Sequence, residues 1–228
     1  MVPFSFAGEE FALAGERALY WPREQALLVA DLHLEKASFF ARHGQMLPPY
    51  DSRETLERVA AAIRQTGARR VFCLGDNFHD TAGADRLEPH AVGMLDALAR
   101  ATDWVWIAGN HDQGRVPWGT AVDEIELAGI VLRHHAHRGE TRPELSGHFH
   151  PRLRVKARGR LIARPCWVMS KSEGGERKLI LPAFGTLTGG MDASDPAIIA
   201  AMQPARAVDA VLPASQKLVH FPIWRDAA

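Results

Sequence analysis

Cysteine is scarce in this chain of 228 residues: only Cys73 and Cys166 occur, inside the strand-like runs "RRVFCLG" and "RPCWVM". Two thiols so far apart read as reduced core residues of a cytosolic protein, and without a Cys-x-x-Cys spacing there is no sign of a structural zinc. Net charge is also lacking, with 27 Lys and Arg against 27 Asp and Glu. No global field draws the molecule to nucleic acid, so any basic footprint must be local. No apolar run approaches the ~20 residues of a membrane span. The opening "MVPFSFAGEEFALAGER" has no basic start and carries Glu9 and Glu10, unlike a secretory signal. A cytoplasmic location without membrane contact is expected. There is no long linker, low-complexity tract or repeat, and 46% apolar with 24% charged residues is ordinary for a soluble globular protein. One domain over residues 1–228 is expected.

What is present is an alternation of strand and helix, followed mostly by strands. "QALLVA" reads as a buried strand ending at Asp31. Asp51 with Glu54 resembles a capping box opening a helix through "SRETLERVAAAIRQ", with Gly67 as its stop. "RRVFCLG" and "DWVWIAG" are further strands; between them "DRLEPHAVGMLDALARA" is helical over its second half, with Pro89 near the start. "DEIELAGIVLRHH", "RLRVKARGRLIARPCWVMS" and "ERKLILPAF" read as strands with short turns, and "DPAIIAAMQ" as a late helix. An α/β sandwich with a mixed sheet core follows.

Chemistry-bearing residues cluster where these strands end. "LLVADLHLEK" sets Asp31 and His33 two apart; in an extended chain they share one face while Leu32 and Leu34 turn away. Alone this pair is a common surface pattern. It recurs, however, as "GDNFHD", "GNHD", "RHHAH" and "GHFHP", each after a strand-like run except the last, which follows a loop. Open α/β sheets build sites beyond the carboxyl ends of strands. The pooled candidates are Asp31, His33, Asp76, Asn110, one of His134 and His135, His148 and His150. Oxygen and nitrogen ligands in such number exceed one tetrahedral zinc and suit two ions of higher coordination. Two ions ~3.5–4 Å apart can clamp the attacking and leaving oxygens of a phosphoryl displacement, and Asp76 is the natural bridge. The glycines before Asp76, Asn110 and His148 allow sharp turns or close backbone approach.

In this order and spacing, the motifs over residues 31 to 150 resemble the calcineurin-like binuclear metallophosphoesterases. A narrower likeness, carried by "VADLHLEK", "LGDNFHD", "HHAH…LSGHFHP" and "LPAFGTLTGG", is to the bacterial ligase-associated DNA damage response endonucleases. The resemblance implies a four-layer αββα sandwich with two mixed β-sheets and motifs on loops at one rim. It implies Asp31, His33 and His150 as ligands of a first metal, Asp76 as bridge, and Asn110, His134 and His148 as ligands of a second. It gives His111 the place of the catalytic imidazole, with Asp112 as an orienting partner. His134 is favoured over His135 because the family ligand directly follows its strand, although Ala136 replaces a proline common in the family. His79 stands where many relatives have an acid; it could be substrate-contacting, support a ligand, or be a plain loop histidine. His43, His90 and His220 lie in no motif. Manganese is the expected metal, with iron, nickel or zinc compatible by ligand type.

Directly after His150 comes "RLRVKARGRLIAR", in which Arg152, Arg154, Lys156, Arg158 and Arg160 alternate with small or apolar residues. Period two would put all five charges on one strand face. Such a face either guards a sheet edge or tracks a nucleic-acid backbone. Trp118 and Phe149 could offer stacking faces to unpaired bases, or lie in the core. The expectation is a metal-dependent phosphodiesterase acting as a DNA endonuclease in DNA repair, favouring single strands. The resemblance also implies a functional link with a DNA ligase, a helicase and another nuclease. A phosphatase acting on small phosphoesters or nucleotides and a non-catalytic metal-binding scaffold are the alternatives.

Overall fold

The computed structural model describes residues 1–15, 17–112, 117–157, 159–214 and 216–226. The first sheet runs in chain order. β1 (Val2–Phe6), β2 (Glu9–Ala14), β3 (Ala18–Trp21) and β4 (Ala26–Val29) form an antiparallel meander. Next, β5 (Arg70–Leu74), β6 (Asp103–Ile107) and β7 (Thr120–Val122) add in parallel. Parallel neighbours need crossovers. Helices α1 (Lys36–Arg42) and α2 (Asp51–Thr66) connect β4 to β5; α3 (Gly83–Arg86) and α4 (Pro89–Ala101) connect β5 to β6.

The chain then enters β8 (Glu124–Leu127), β9 (Ile130–Arg133) and β10 (Glu144–Ser146), leaves through a separate hairpin of β11 (Arg152–Ala157) and β12 (Arg160–Pro165), and returns in β13 (Trp167–Ser172) and β14 (Gly175–Ile180). Helix α5 (Pro196–Ala201) precedes β15 (Ala207–Ala214) and β16 (Lys217–Arg225). The second sheet is ordered β16-β15-β13-β14-β10-β9-β8, with β9, β10 and β14 mutually parallel. Both sheets are thus mixed, as the resemblance implies.

Alternation along the strands sets the layers. In β5, Phe72 and Leu74 enter the core between the sheets, while Val71 and Cys73 face the helices. In β6, Val105 and Ile107 point inward and Trp104 and Trp106 outward. From the second sheet, Trp167, Met169 and Leu179 fill the shared core; Val168, Ile180 and Val208 back onto α5 residue Ile198 and hairpin residue Leu153. Strands buried on both faces account for the near-continuous apolar runs in the sequence. Cys73 and Cys166 are buried free thiols. Among the described residues, no helix is long and apolar enough to cross a membrane.

The structure departs from the expected elements in three ways. β4 stops at Val29, two residues before Asp31. No capping box opens α2: Asp51 is already helical, and its carboxylate accepts from the backbone N–H of Ala37 instead. The basic run is not one strand. β11 and β12 pair antiparallel with Ala157 opposite Arg160. Arg152, Arg154 and Lys156 share one face, and Arg160 belongs to the other, with Ile162 and Arg164. Arg158 lies outside the described residues.

Candidate metal centre

The residues singled out in the five motifs sit on loops that follow β4, β5, β6, β9 and β10, at one rim of the two sheets. These loops do not continue the extended chain. Asp31, His33, Asp76, His148 and His150 all have positive φ, at 53°, 44°, 48°, 74° and 48°. For a residue with a Cβ this conformation costs roughly 1–2 kcal/mol. The surroundings must therefore enforce it. Asp31 N–H donates to Gly75 O (3.1 Å), His33 N–H to Asp76 O (2.9 Å) and Leu34 N–H to Asn77 O (2.9 Å), which locks the first two loops side by side. Asp31 and His33 do meet in one cluster, through left-handed turns rather than strand alternation. Leu32 and Leu34 point into the helix-side core.

Two glycines let the loops close up. A Cβ on Gly109 would collide with the backbone N of Asp76, and one on Gly147 would lie 2.7 Å from Asp31 Oδ2 and 2.8 Å from the Ala30 Cβ.

Two groups of ligand atoms result. Asp31, His33, Asp76 and His150 present atoms all within 4.8 Å of one another; so do Asp76, His134 and His148. In the first, His33 Nε2 lies 3.1 Å from His150 Nε2 and 3.7 Å from Asp76 Oδ2, and His150 Nε2 lies 3.5 Å from Asp31 Oδ1. In the second, His134 Nε2 lies 3.0 Å from His148 Nδ1 and 3.4 Å from Asp76 Oδ1. The Asn110 amide reaches His148 Nδ1 at 3.3 Å. Burial, reinforced by neighbouring His150, depresses the His33 pKa from 6.5 to about 2. Burial and then His134 depress His148 to about 4. Both rings are neutral near pH 7 and carry a lone pair. Carboxylate oxygens and neutral imidazole nitrogens converging so closely want a cation between them, and this donor set fits divalent metal. The clusters are able to bind metal.

The calcineurin-like phosphoesterase family model matches residues 25–212. The chain belongs to that family. It is a metallophosphoesterase, and its family uses divalent metals. A similar solved structure is the nuclease MPE of Pseudomonas putida, 28% identical, with a TM-score of 0.69, covering 96% of this chain and 98% of that one. Another is Yfce, a phosphoesterase from E. coli, 17% identical with a TM-score of 0.38, covering 87% of this chain and 99% of that one. No curated protein matches the chain.

Other residues of the phosphoesterase take distinct positions. His134, not His135, enters the second group; its Nδ1 lies 3.0 Å from Leu74 O. His135 is exposed and packs against His148 and Phe149 at ring distances of 4.5 and 5.0 Å. His111 stands at the open side, its Nε2 3.9 Å from Asp76 Oδ2, while its backbone N–H donates to Asp76 Oδ1 (3.1 Å). His79 stacks on His111 with ring centres 5.7 Å apart and is walled by Phe39 at 4.7 Å; burial lowers its pKa to about 4. His43, His90 and His220 lie outside both groups.

Among the described residues, Asp112 makes no hydrogen bond to the His111 ring. Its carboxylate accepts from Asn77 N–H (2.9 Å), Asn77 Nδ2 (2.8 Å) and Gly109 N–H (2.9 Å), stapling the loop after β6 to the loop after β5. Trp118 and Phe149 are buried at 8% and 7% exposure and offer no open stacking face.

Sequence reasoning passed over Asn77, which reads as a turn residue inside "GDNFHD", and Gly185. The Gly185 N–H donates to Asp31 O, and a Cβ there would strike Leu32 O, so the loop after β14 backs the first ligand pair. The signal was present in "LPAFGTLTGG", where a lone glycine follows a buried strand.

Proposed function

We propose that this metallophosphoesterase is a phosphodiesterase that cuts DNA, with unpaired strands preferred, at a centre of two divalent ions, manganese foremost. The observation that carries the binuclear reading is Asp76, whose Oδ2 faces His33 and whose Oδ1 faces His134. On this reading Asp31, His33, His150 and Asp76 hold the first ion, and Asp76, Asn110, His134 and His148 hold the second. Such ions lower the pKa of water and offset charge on phosphoryl oxygens. The protein's own contribution is orientation and proton handling. His111, half exposed beside Asp76, can donate to a phosphate oxygen or supply the proton that a poor diester leaving group requires. Asp112 keeps the His111 loop fixed against the Asp76 loop. Manganese suits a donor set that mixes carboxylate, amide and imidazole without thiolate.

The DNA part is supported by the likeness to the Pseudomonas putida nuclease and by the basic face of Arg152, Arg154 and Lys156, which begins two residues after His150. A cytoplasmic role in DNA repair, functionally linked with a DNA ligase, a helicase and another nuclease, rests on the sequence resemblance. A panel crossing metals with substrates tests the reading. Manganese with single-stranded DNA should give the highest turnover, duplex DNA less, and phosphomonoesters least. A preference for monoesters, with no DNA cleavage under any metal, would return the phosphatase alternative.

A further inference from the structure

Beside His150 the surface opens into a trough that the motifs do not mark. A narrow cleft lined by His150, Arg152, Thr188 and Arg17 leads away from the ligand cluster. Arg17 also lines two wider hollows. One, of about 530 Å³, runs along Arg164, Trp167 and Pro213. The other, of about 670 Å³, runs between α2 and the loop after β14 and is lined by Arg58, Gln65 and Thr186. Arg17 is thus a wall common to three neighbouring hollows, the first of which begins at His150.

The charge along these hollows is one-sided. Among the described residues that line them are Arg17, Arg58, Arg152 and Arg164, with Glu54 as the acid. In a chain of equal acids and bases, this is a local positive stripe. Arg152 Nε, at the throat, is buried with no hydrogen-bond partner among the described residues. That atom is closed to solvent, but the guanidinium as a whole, whose Nη2 reaches the Ala163 carbonyl at 3.5 Å, carries the charge that phosphate oxygens match. Arg17 is held at the junction by the Ala183 carbonyl (3.0 Å) in the same loop whose Gly185 N–H donates to Asp31 O. The shared wall is therefore tied to the ligand loop. The exposed hairpin face of Arg154 and Lys156 is a weaker track, because Asp192 lies 3.7 Å from Arg154 Nε.

We propose that the single DNA strand leaves the metal centre past His150 and runs along this arginine trough, its phosphates held by Arg152, Arg17 and then Arg164 and Arg58. The inference rests on the nuclease reading above and names the surface that delivers its substrate.

The test compares Arg164→Glu and Arg58→Glu, each alone, with Arg100→Glu on α4 as a charge-matched control away from the trough. Each is assayed on a labelled single-stranded oligonucleotide and on a bis-aryl phosphodiester, which also reports folding. The ratio of DNA to ester turnover should fall about tenfold for each trough variant, the loss from one charge-assisted contact. The log–log salt slope of oligonucleotide binding should flatten by roughly 0.7 for each phosphate contact removed. If wild type cuts DNA while both trough variants keep the ratio and slope of Arg100→Glu, the trough is not the track and the nuclease reading stands. If wild type hydrolyses the ester and never cuts DNA, the nuclease reading itself fails and the trough proposal falls with it.

Discussion

Replacing His111 separates ligation from chemistry. Its ring lies outside both ligand groups, yet within 3.9 Å of the shared carboxylate. His111→Ala should keep the full metal complement by elemental analysis and lose ~10²–10⁴ in turnover on DNA. On an activated aryl diester, whose leaving group needs little protonation, the loss should be smaller. Equal losses on the two substrates would leave His111 only a phosphate-steadying role. A second consequence concerns the protein stripped of metal. An unfolded histidine protonates near 6.5, whereas His33 and His148 are held near 2 and 4 by burial. Between those values the unfolded chain binds more protons, so stability falls as pH drops below about 6.5. Urea midpoints in chelator should be lower at pH 5 than at pH 7, and His33→Asn should shrink the difference. At this scale the sequence was informative because ligand chemistry is carried by residue type: seven side chains picked out of five motifs all lie at one rim. Their backbone was not legible. Left-handed turns at Asp31, His33, Asp76, His148 and His150 occur at residues with no intrinsic preference strong enough to announce them, and the loops impose them through hydrogen bonds from distant segments.

Elements behind the ligands are braced by a buried charge. Lys178, on β14, is fully buried, and its ammonium donates to the carbonyls of His137 (2.6 Å), Ala201 (2.8 Å) and Gln203 (2.8 Å). Glu144 on β10, also fully buried, lies 3.5 Å from the same ammonium and 3.4 Å from Arg133 on β9. This knot joins the strands that lead to His134 and His148 with α5 and the loop between them. Burial lowers the Lys178 pKa and raises that of Glu144, so each ion depends on the other. Lys178→Met should cost about 3–5 kcal/mol in urea unfolding, because it removes one of the two cations facing a buried carboxylate and leaves three carbonyls without their donor. Adding Glu144→Leu should recover part of that loss; strict additivity of the two would mean the charges are not coupled. Helices α2 and α4 were legible from apolar spacing, from Gly67 at the stop and from Pro89 at the first turn. The capping box expected at Asp51 does not form, since a tertiary contact with Ala37 takes the carboxylate away from its own helix. The split of the basic run between β11 and β12 was hidden because alternation continues across the turn with nothing but Gly159 to mark it.

Across the whole molecule, the candidate ligands come from both sheets: Asp31, His33, Asp76 and Asn110 follow strands of the first, and His134, His148 and His150 follow strands of the second. The sandwich was legible because buried parallel strands write themselves as apolar runs. The strands β1–β3 and β15–β16 were not, although neighbours in the chain pair as antiparallel hairpins: β1 and β16 are half-exposed and β3 is only 4 residues long, so none writes a clear apolar run. The shared ligation makes a global prediction. Ions held only when the two sheets are docked bind the folded state and not the unfolded one, so they stabilise the whole molecule by mass action. With free manganese a hundredfold above the dissociation constant, each site should add about 2.7 kcal/mol to unfolding relative to chelator. Wild type should carry two ions per chain by elemental analysis. Asp76→Ala removes the residue common to both groups and should abolish nearly all of the metal-dependent shift, whereas His33→Ala, which belongs to the first group alone, should retain about half. A wild-type maximum of one ion, or an Asp76→Ala shift no smaller than that of His33→Ala, would mean that Asp76 does not bridge two ions and that the close pair of ligand groups serves a single metal.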